Sequence, residues 1–269
     1  RMAGSDRGVT YRELDDRSNQ GAQLFRSLGV RRGDHVALLL ENCTAFMEIC
    51  WAAQRSGVYF TAISRYLTAD EIAYIVQDCG AKLFVTSPAC HDRVADLLDT
   101  GLKGLKLFMV SGVRPGFKSW EDAIARQPAT PIADEAVGLD MLYSSGTTGR
   151  PKGIRRAPST DPVEAINPLM KMLCVTGCGM SADTVYLSPA PLYHAAPLRF
   201  NMMVGSLGGT SIIMEHFDAE DYLRLIEKYR ITQSQLVPTM FVRMLKLPEE
   251  VRRKYDLSTL KGAIHAAAP

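Results

Sequence analysis

Tyr143-Ser144-Ser145-Gly146-Thr147-Thr148-Gly149-Arg150-Pro151-Lys152-Gly153 is the stretch around which the rest of the chain is read. It gathers four Ser/Thr hydroxyls, three glycines and two fixed cations. The apolar approach over 137–142 reads as a strand running into this loop. Such a loop suits polyphosphate. Glycines let backbone N–H groups approach the oxygens, hydroxyls donate further hydrogen bonds, and the cations offset charge. A Walker A loop is excluded by spacing: only Thr147 and Thr148 separate Gly146 from Gly149, and Lys152 precedes a glycine where that motif needs Ser or Thr.

Upstream of the loop, strand and helix signals alternate. Thr10-Tyr11-Arg12-Glu13 has capping-box spacing and predicts a helix over 10–28, with Leu14, Ser18, Ala22, Phe25 and Leu28 on one face. An apolar run over 36–40 predicts a strand buried on both faces, followed by a helix ending at Gly57 and a strand over 58–63. Thr68 and Glu71 form a second capping box, with the helix ending at Gly80. Strands at 82–86 and 106–110 and helices near 92–98 and 120–125 continue the series. A polar connector over 127–135, carrying Pro128 and Pro131, suggests a boundary between a first subdomain, 1–130, and a second, 131–269, that holds the loop. Downstream, helices over 167–174 and 198–207, one capped by Asp218, and strands at 184–187, 210–214, 231–237 and about 263–264 keep the pattern. The expected fold is α/β, with mixed, largely parallel sheets flanked by helices.

Composition bounds the function. The 269 residues are 46% hydrophobic and 22% charged, which is ordinary for a globular chain, and a net charge of +2 leaves no electrostatic footprint for nucleic acid. No apolar run reaches transmembrane length and the start is no signal peptide, so the expected compartment is the cytoplasm; peripheral membrane contact and homodimer formation stay open. Six scattered cysteines read as reduced, partly buried thiols, and the Cys174/Cys178 spacing completes no zinc pattern.

Ser-Ser-Gly-Thr-Thr-Gly-Arg-Pro-Lys-Gly over 144–153 resembles the signature of the adenylate-forming superfamily of acyl-CoA synthetases, aryl-CoA ligases, luciferases and adenylation domains. The resemblance covers nearly the whole chain. It implies the two similar α/β subdomains of that family's large N-terminal domain, truncated before the second is complete and lacking the small C-terminal lid. It also implies the reaction: a carboxylate attacks the α-phosphorus of ATP, pyrophosphate leaves, and coenzyme A displaces AMP from the acyl-adenylate. By the same resemblance Ser144, Ser145, Gly146, Thr147, Thr148, Gly149 and Lys152 hold the β- and γ-phosphates, Thr148 and Lys152 act catalytically, and Ser144 helps ligate Mg²⁺. The loop's contribution is positioning plus electrostatic stabilisation.

Tyr193-His194-Ala195 resembles the family segment between nucleotide and acyl pocket. There His194 would position and gate, without serving as a base, since a carboxylate is already ionised at neutral pH. The positions after His194 are alanines where amino-acid-activating members place an aspartate, which favours an acid without an amino group; Asp218 reads as a helix N-cap. Val237, Pro238, Thr239 and Met240 resemble the border of the acyl tunnel and suit an alkyl, steroid-like or aromatic group. Ala266, Ala267, Ala268 and Pro269 resemble the segment that stacks on adenine.

The expected protein is therefore an AMP-forming ligase of a hydrophobic carboxylic acid and coenzyme A, using ATP and Mg²⁺, of which this chain is an N-terminal portion inactive by itself. The acidic magnesium ligand, the ribose-binding aspartate and the C-terminal lysine are expected beyond Pro269. A ligase of aryl acids, a catalytically dead nucleotide- or acyl-binding module, and a phosphoryl-transfer enzyme of another fold are the alternatives.

Overall fold

The computed structural model describes residues 1–144, 150–159, 161–163 and 165–265. Its contacts divide into two compact units, Val9–Ala165 and, together, Arg1–Gly8 and Ile166–Pro269.

In the first unit, α1 (Tyr11–Ser27) starts at the expected capping box: Glu13 N–H donates to Thr10 Oγ1 at 3.2 Å, and Thr10 N–H donates to Glu13 Oε2 at 2.8 Å. α1 lies close against α2 (Thr44–Arg55), where a Cβ on Gly21 would come within 2.7 Å of the Ala52 methyl. β1 (His35–Leu39) is buried along its whole length, as its unbroken apolar run requires. β2 (Tyr59–Ala62), α3 (Ala69–Asp78, with the second capping box), β3 (Ala81–Thr86), β4 (Lys106–Met109), β5 (Lys118–Ser119) and α4 (Trp120–Ala125) follow. The strands form one parallel sheet in the order β2-β1-β3-β4-β5.

The helix expected near 92–98 is instead two 3-10 turns, Pro88–Arg93 and Ala95–Leu97. Three residues per turn bring Val94 and Leu97 to the same side, and both are buried in the core with Leu102.

The approach to the loop adds a further extended segment beside β2. Phe60 N–H donates to the Leu139 carbonyl at 3.0 Å, and Met141 N–H to the Phe60 carbonyl at 3.0 Å. Parallel bridges at Ser56/Ala136 and Phe60/Asp140 fix the register. Only glycine fits at 138: an added Cβ would collide with the backbone oxygens of Ala53 and Val58. Because these bonds tie 136–141 to β2, residues 131–165 pack with the first unit, although the sequence reading assigns them to the second subdomain.

In the second unit, α5 (Pro168–Lys171) runs directly into a π-helical turn, Met172–Gly177, that extends the helix expected over 167–174. β8 (Val185–Ser188), α6 (Ala195–Ser206), β9 (Thr210–Ile213), α7 (Ala219–Tyr229), β10 (Gln233–Leu236), α8 (Pro238–Leu245), α9 (Glu249–Arg252) and β11 (Gly262–His265) follow; β6 and β7 are the short strands flanking the loop, Tyr143–Ser144 and Lys152–Gly153. The sheet order is β11-β10-β8-β9, all parallel. One face packs Leu187, Ile212 and Leu236 against Tyr222, Leu225 and Ile226 of α7; the other packs Tyr186 against Phe200, Met203 and Val204 of α6. The first residues of the chain close the β9 edge, with Ala3 N–H donating to the Ile213 carbonyl at 2.8 Å. α6 begins three residues earlier than the expected 198, because Pro197 falls within the first turn, where its missing N–H leaves no helical bond unmade.

Candidate functional site

β6 and β7 pair antiparallel, so Ser144 stands opposite Lys152 and Tyr143 opposite Gly153. The loop therefore leaves and returns through one short hairpin, continued by Ile154 N–H donating to the Leu142 carbonyl at 3.1 Å. Ser144 and Lys152 are both exposed, and Lys152 pairs with no carboxylate among the described residues. Ser145, Gly146, Thr147, Thr148 and Gly149 lie outside the described residues. The hairpin base is packed tightly: a Cβ on Gly153 would stand 2.6 Å from Met141 Cε and 2.7 Å from Tyr143 Cζ. Tyr143 Oη donates to Asp78 Oδ2 at 2.5 Å, and burial, reinforced by that carboxylate, pushes the phenol pKa up and keeps the proton in the bond.

The cations around the loop divide by environment. Arg150 lies over the Tyr74 ring, 5.3 Å from its centroid, and Arg155 over the Tyr59 ring at 5.1 Å. Arg156 Nη2 meets Asp140 Oδ1 at 2.8 Å, while its carbonyl accepts from Tyr59 Oη. Arg155 and Arg156 both hold the segment after β7 against the first unit's sheet. Lys152 is exposed.

In the second unit, His194 is the N-cap of α6. Its N–H donates to the Pro191 carbonyl at 3.2 Å and its carbonyl accepts from Leu198 N–H at 3.2 Å, but its side chain makes no capping bond. The imidazole centroid stands 4.4 Å from that of Tyr193, at 49°. Partial desolvation holds its pKa below 6.5, so at neutral pH it presents one N–H donor and one acceptor nitrogen. Ala195 opens the helix beside it. Asp218 accepts from Asp221 N–H at 2.9 Å, as the N-cap of α7.

Val237 N-caps α8, Pro238 takes its first position, and Thr239 is exposed. Met240 points the other way, into the core with Leu187 and Leu236. Phe241 meets the His265 ring edge-on at 5.9 Å, which joins α8 to the end of β11. The adenine-segment candidates Ala266, Ala267, Ala268 and Pro269 lie outside the described residues. The sequence reading passed over Gln233, Gln235, Ser188 and Asn201, which are buried polar residues of the β8, β10 and α6 region. The signal was available: Thr232-Gln233-Ser234-Gln235 is a polar run inside a strand bounded by Ile231 and Leu236.

Ser144 supplies a single hydroxyl, and no group of three or more His, Cys, Asp or Glu side chains could hold a metal among the described residues. These residues by themselves do not fit a magnesium site. The six cysteines are free thiols, and burial pushes Cys174 up to about 11. Among the described residues no helix is long and apolar enough to cross a membrane.

Comparison with known proteins bears on the whole chain. It is 31% identical over 289 residues to 4-coumarate–CoA ligase 1 of Oryza sativa subsp. japonica, covering 99% of this chain and 48% of the relative. It is 32% identical over 266 residues to a feruloyl-CoA synthase of Amycolatopsis sp, covering 97% and 50%. The chain thus spans about half the length of the relatives it matches. A solved long-chain-fatty-acid-CoA ligase from Archaeoglobus fulgidus superposes with a TM-score of 0.83 at 22% identity, over 96% of this chain and 50% of that one, and shares its fold. With the family model described as AMP-binding enzyme matching residues 2–269, across both parallel sheets and the β6–β7 loop, the chain belongs to the AMP-binding, adenylate-forming family.

Proposed function

We propose that the full-length protein is an AMP-forming acid–CoA ligase that activates a hydrophobic carboxylic acid lacking an amino group. The observation that carries this reading is the β6–β7 hairpin, which sets the Ser144 hydroxyl opposite an exposed Lys152 at the neck of a Gly/Ser/Thr loop. Ser144, Lys152 and the intervening residues, Thr148 among them, hold the β- and γ-phosphates of ATP as pyrophosphate departs. Preorganised donors there stabilise charge where it builds up in the transition state. His194, neutral at pH 7, donates an N–H to a carboxylate or phosphate oxygen and orients the acid. Val237, Pro238 and Thr239 border the acyl group, and Ala266 to Pro269 take the adenine. Mg²⁺ enters with the ATP. The six free thiols support a reducing, cytoplasmic setting.

The names of the relatives, 4-coumarate–CoA ligase and feruloyl-CoA synthase, favour a second form of the same reading in which the acid is aromatic. A panel of alkyl and aryl acids offered to the full-length protein with ATP, Mg²⁺ and coenzyme A tests both. Acid-dependent release of AMP and pyrophosphate is expected; ADP, or no nucleotide turnover with any acid, removes the reading. Residues 1–269 alone are expected to turn over little, and robust pyrophosphate release by them would overturn that part.

A further inference from the structure

The α6 side of the second unit's sheet carries buried polar atoms that nothing in the described chain satisfies. Gln235 Nε2 donates to the Leu236 carbonyl at 2.9 Å. Asn201 Nδ2 donates to the Pro197 carbonyl and to Ser188 Oγ, both at 2.8 Å. A carbonyl oxygen can only accept, so these bonds fix which end of each amide is nitrogen. The remaining atoms, Gln235 Oε1 and Asn201 Oδ1, are therefore acceptors. Both are sealed from solvent, on residues 1% and 2% exposed, and neither has a partner among the described residues. Tyr186 Oη is likewise sealed from solvent, on a residue 0% exposed, with the backbone N–H of Gln235 beside it.

The three belong to one region. Leu187 and Leu236 face α7, so strand alternation turns Tyr186, Ser188, Gln233 and Gln235 toward α6. Tyr186 stacks on Phe200 of α6, with centroids 6.0 Å apart, and the Gln235 backbone is among the groups beside its phenol oxygen. Leaving such buried groups unpaired is costly, and leucine at the same positions would avoid that cost. Two free acceptors call for a donor.

α6 sets the scale. Asn201 follows His194 by seven residues, which keeps the two on one helical face and separates them by about 10 Å along the axis. An acid whose carboxylate lies at His194 and whose body follows α6 would bring its far end to the free amide oxygens. Met180 and Met203, in the same cluster, are adaptable side chains able to repack around it.

We propose that Gln235 and Asn201, with Tyr186 beside them, are specificity determinants that select a carboxylic acid bearing a hydroxyl roughly 10 Å from the carboxylate, on a ring or at the end of an alkyl chain. This rests on the acid-activating reading above.

The test compares matched acids in the full-length enzyme: 8-hydroxyoctanoic with octanoic acid, and 3-(4-hydroxyphenyl)propanoic with 3-phenylpropanoic acid, by kcat/KM for AMP release. The wild type is expected to favour at least one hydroxylated member by about tenfold or more, since a site built to bond a hydroxyl rejects the analogue without it. Gln235→Leu and Asn201→Leu are expected to shrink that ratio to within about threefold, by lowering kcat/KM on the hydroxy acid and raising it on its partner. Thermal unfolding checks that each variant is folded, and Tyr186→Phe, which removes a single oxygen, serves if either leucine variant is not. Equal use of both members of each pair by the wild type overturns the proposal while leaving the ligase reading intact. A preference that persists undiminished in folded variants overturns it too. Absence of AMP with every acid overturns the ligase reading, and the proposal with it.

Discussion

His35 should make the anchor of the phosphate loop acid-sensitive. It opens β1 with 5% exposure, and its ring stacks on Tyr59 at 4.6 Å and 12°. Neither ring nitrogen has a partner among the described residues. Burial first, and the Arg155 charge second, lower its pKa to about 4, with only Asp34 acting in the other direction. Between that value and the ordinary 6.5 the unfolded chain binds the proton more readily than the folded one. The stabilisation is therefore complete above about pH 6.5, falls as pH drops, and is spent near pH 4. Linkage gives about 2 kcal/mol lost between pH 7.5 and 5, or about 1–2 kcal/mol once solvent screening of the exposed Arg155 is allowed for. For a unit of this size that lowers the melting temperature by roughly 2–8 °C. Tyr59 carries both the Arg155 cation and the bond to the Arg156 carbonyl, so the loss falls on the segment that follows Lys152 and Gly153. Thermal unfolding of wild type and His35→Phe at the two pH values measures it. Phenylalanine keeps the stack and removes the titration, so its acid-induced loss should be smaller by that amount. An equal loss in both proteins refutes the argument.

Four other substitutions probe the loop, its support and the start of α6. Gly138→Ala should destabilise by about 3 kcal/mol or more in chemical denaturation, because the methyl meets the backbone oxygens of Ala53 in α2 and Val58 just before β2, which cannot move without displacing the turn between them; a change under 1 kcal/mol would show that the turn yields. In the full-length enzyme, Lys152→Ala and Thr148→Ala should slow pyrophosphate release by about 10²-fold while weakening acid binding less, and unchanged rates in both would take the loop out of the mechanism. His194→Ala should alter the ranking of acids in kcat/KM, and an unaltered ranking and rate would leave it only its backbone role as the start of α6.

Most of the fold was legible because it rests on local chemistry. Two capping boxes, the apolar run of β1 and the glycines at 57 and 80, both with positive φ, announce their elements within a few residues. The Gly/Ser/Thr stretch stood out for the same reason: its hydroxyls, glycines and lysine are contiguous, and their spacing alone excludes Walker A. The 3-10 turns over 88–97 were not, since helical spacing in so short a stretch does not distinguish three residues per turn from 3.6. Nor was the grouping of 131–165 with the first unit, which depends on hydrogen bonds from 136–141 to β2, about eighty residues away in sequence. Nor were the partners of Arg155 and Arg156, since Tyr59 and Asp140 come beside them only in the folded chain. By itself the sequence determined which groups the loop offers, because glycine, hydroxyl and cation are fixed by residue type. Only the tertiary structure decided which cations gain aromatic or carboxylate partners, and which amide oxygens of Gln235 and Asn201 are left without a donor among the described residues, because pairing and burial depend on neighbours brought in from distant parts of the chain.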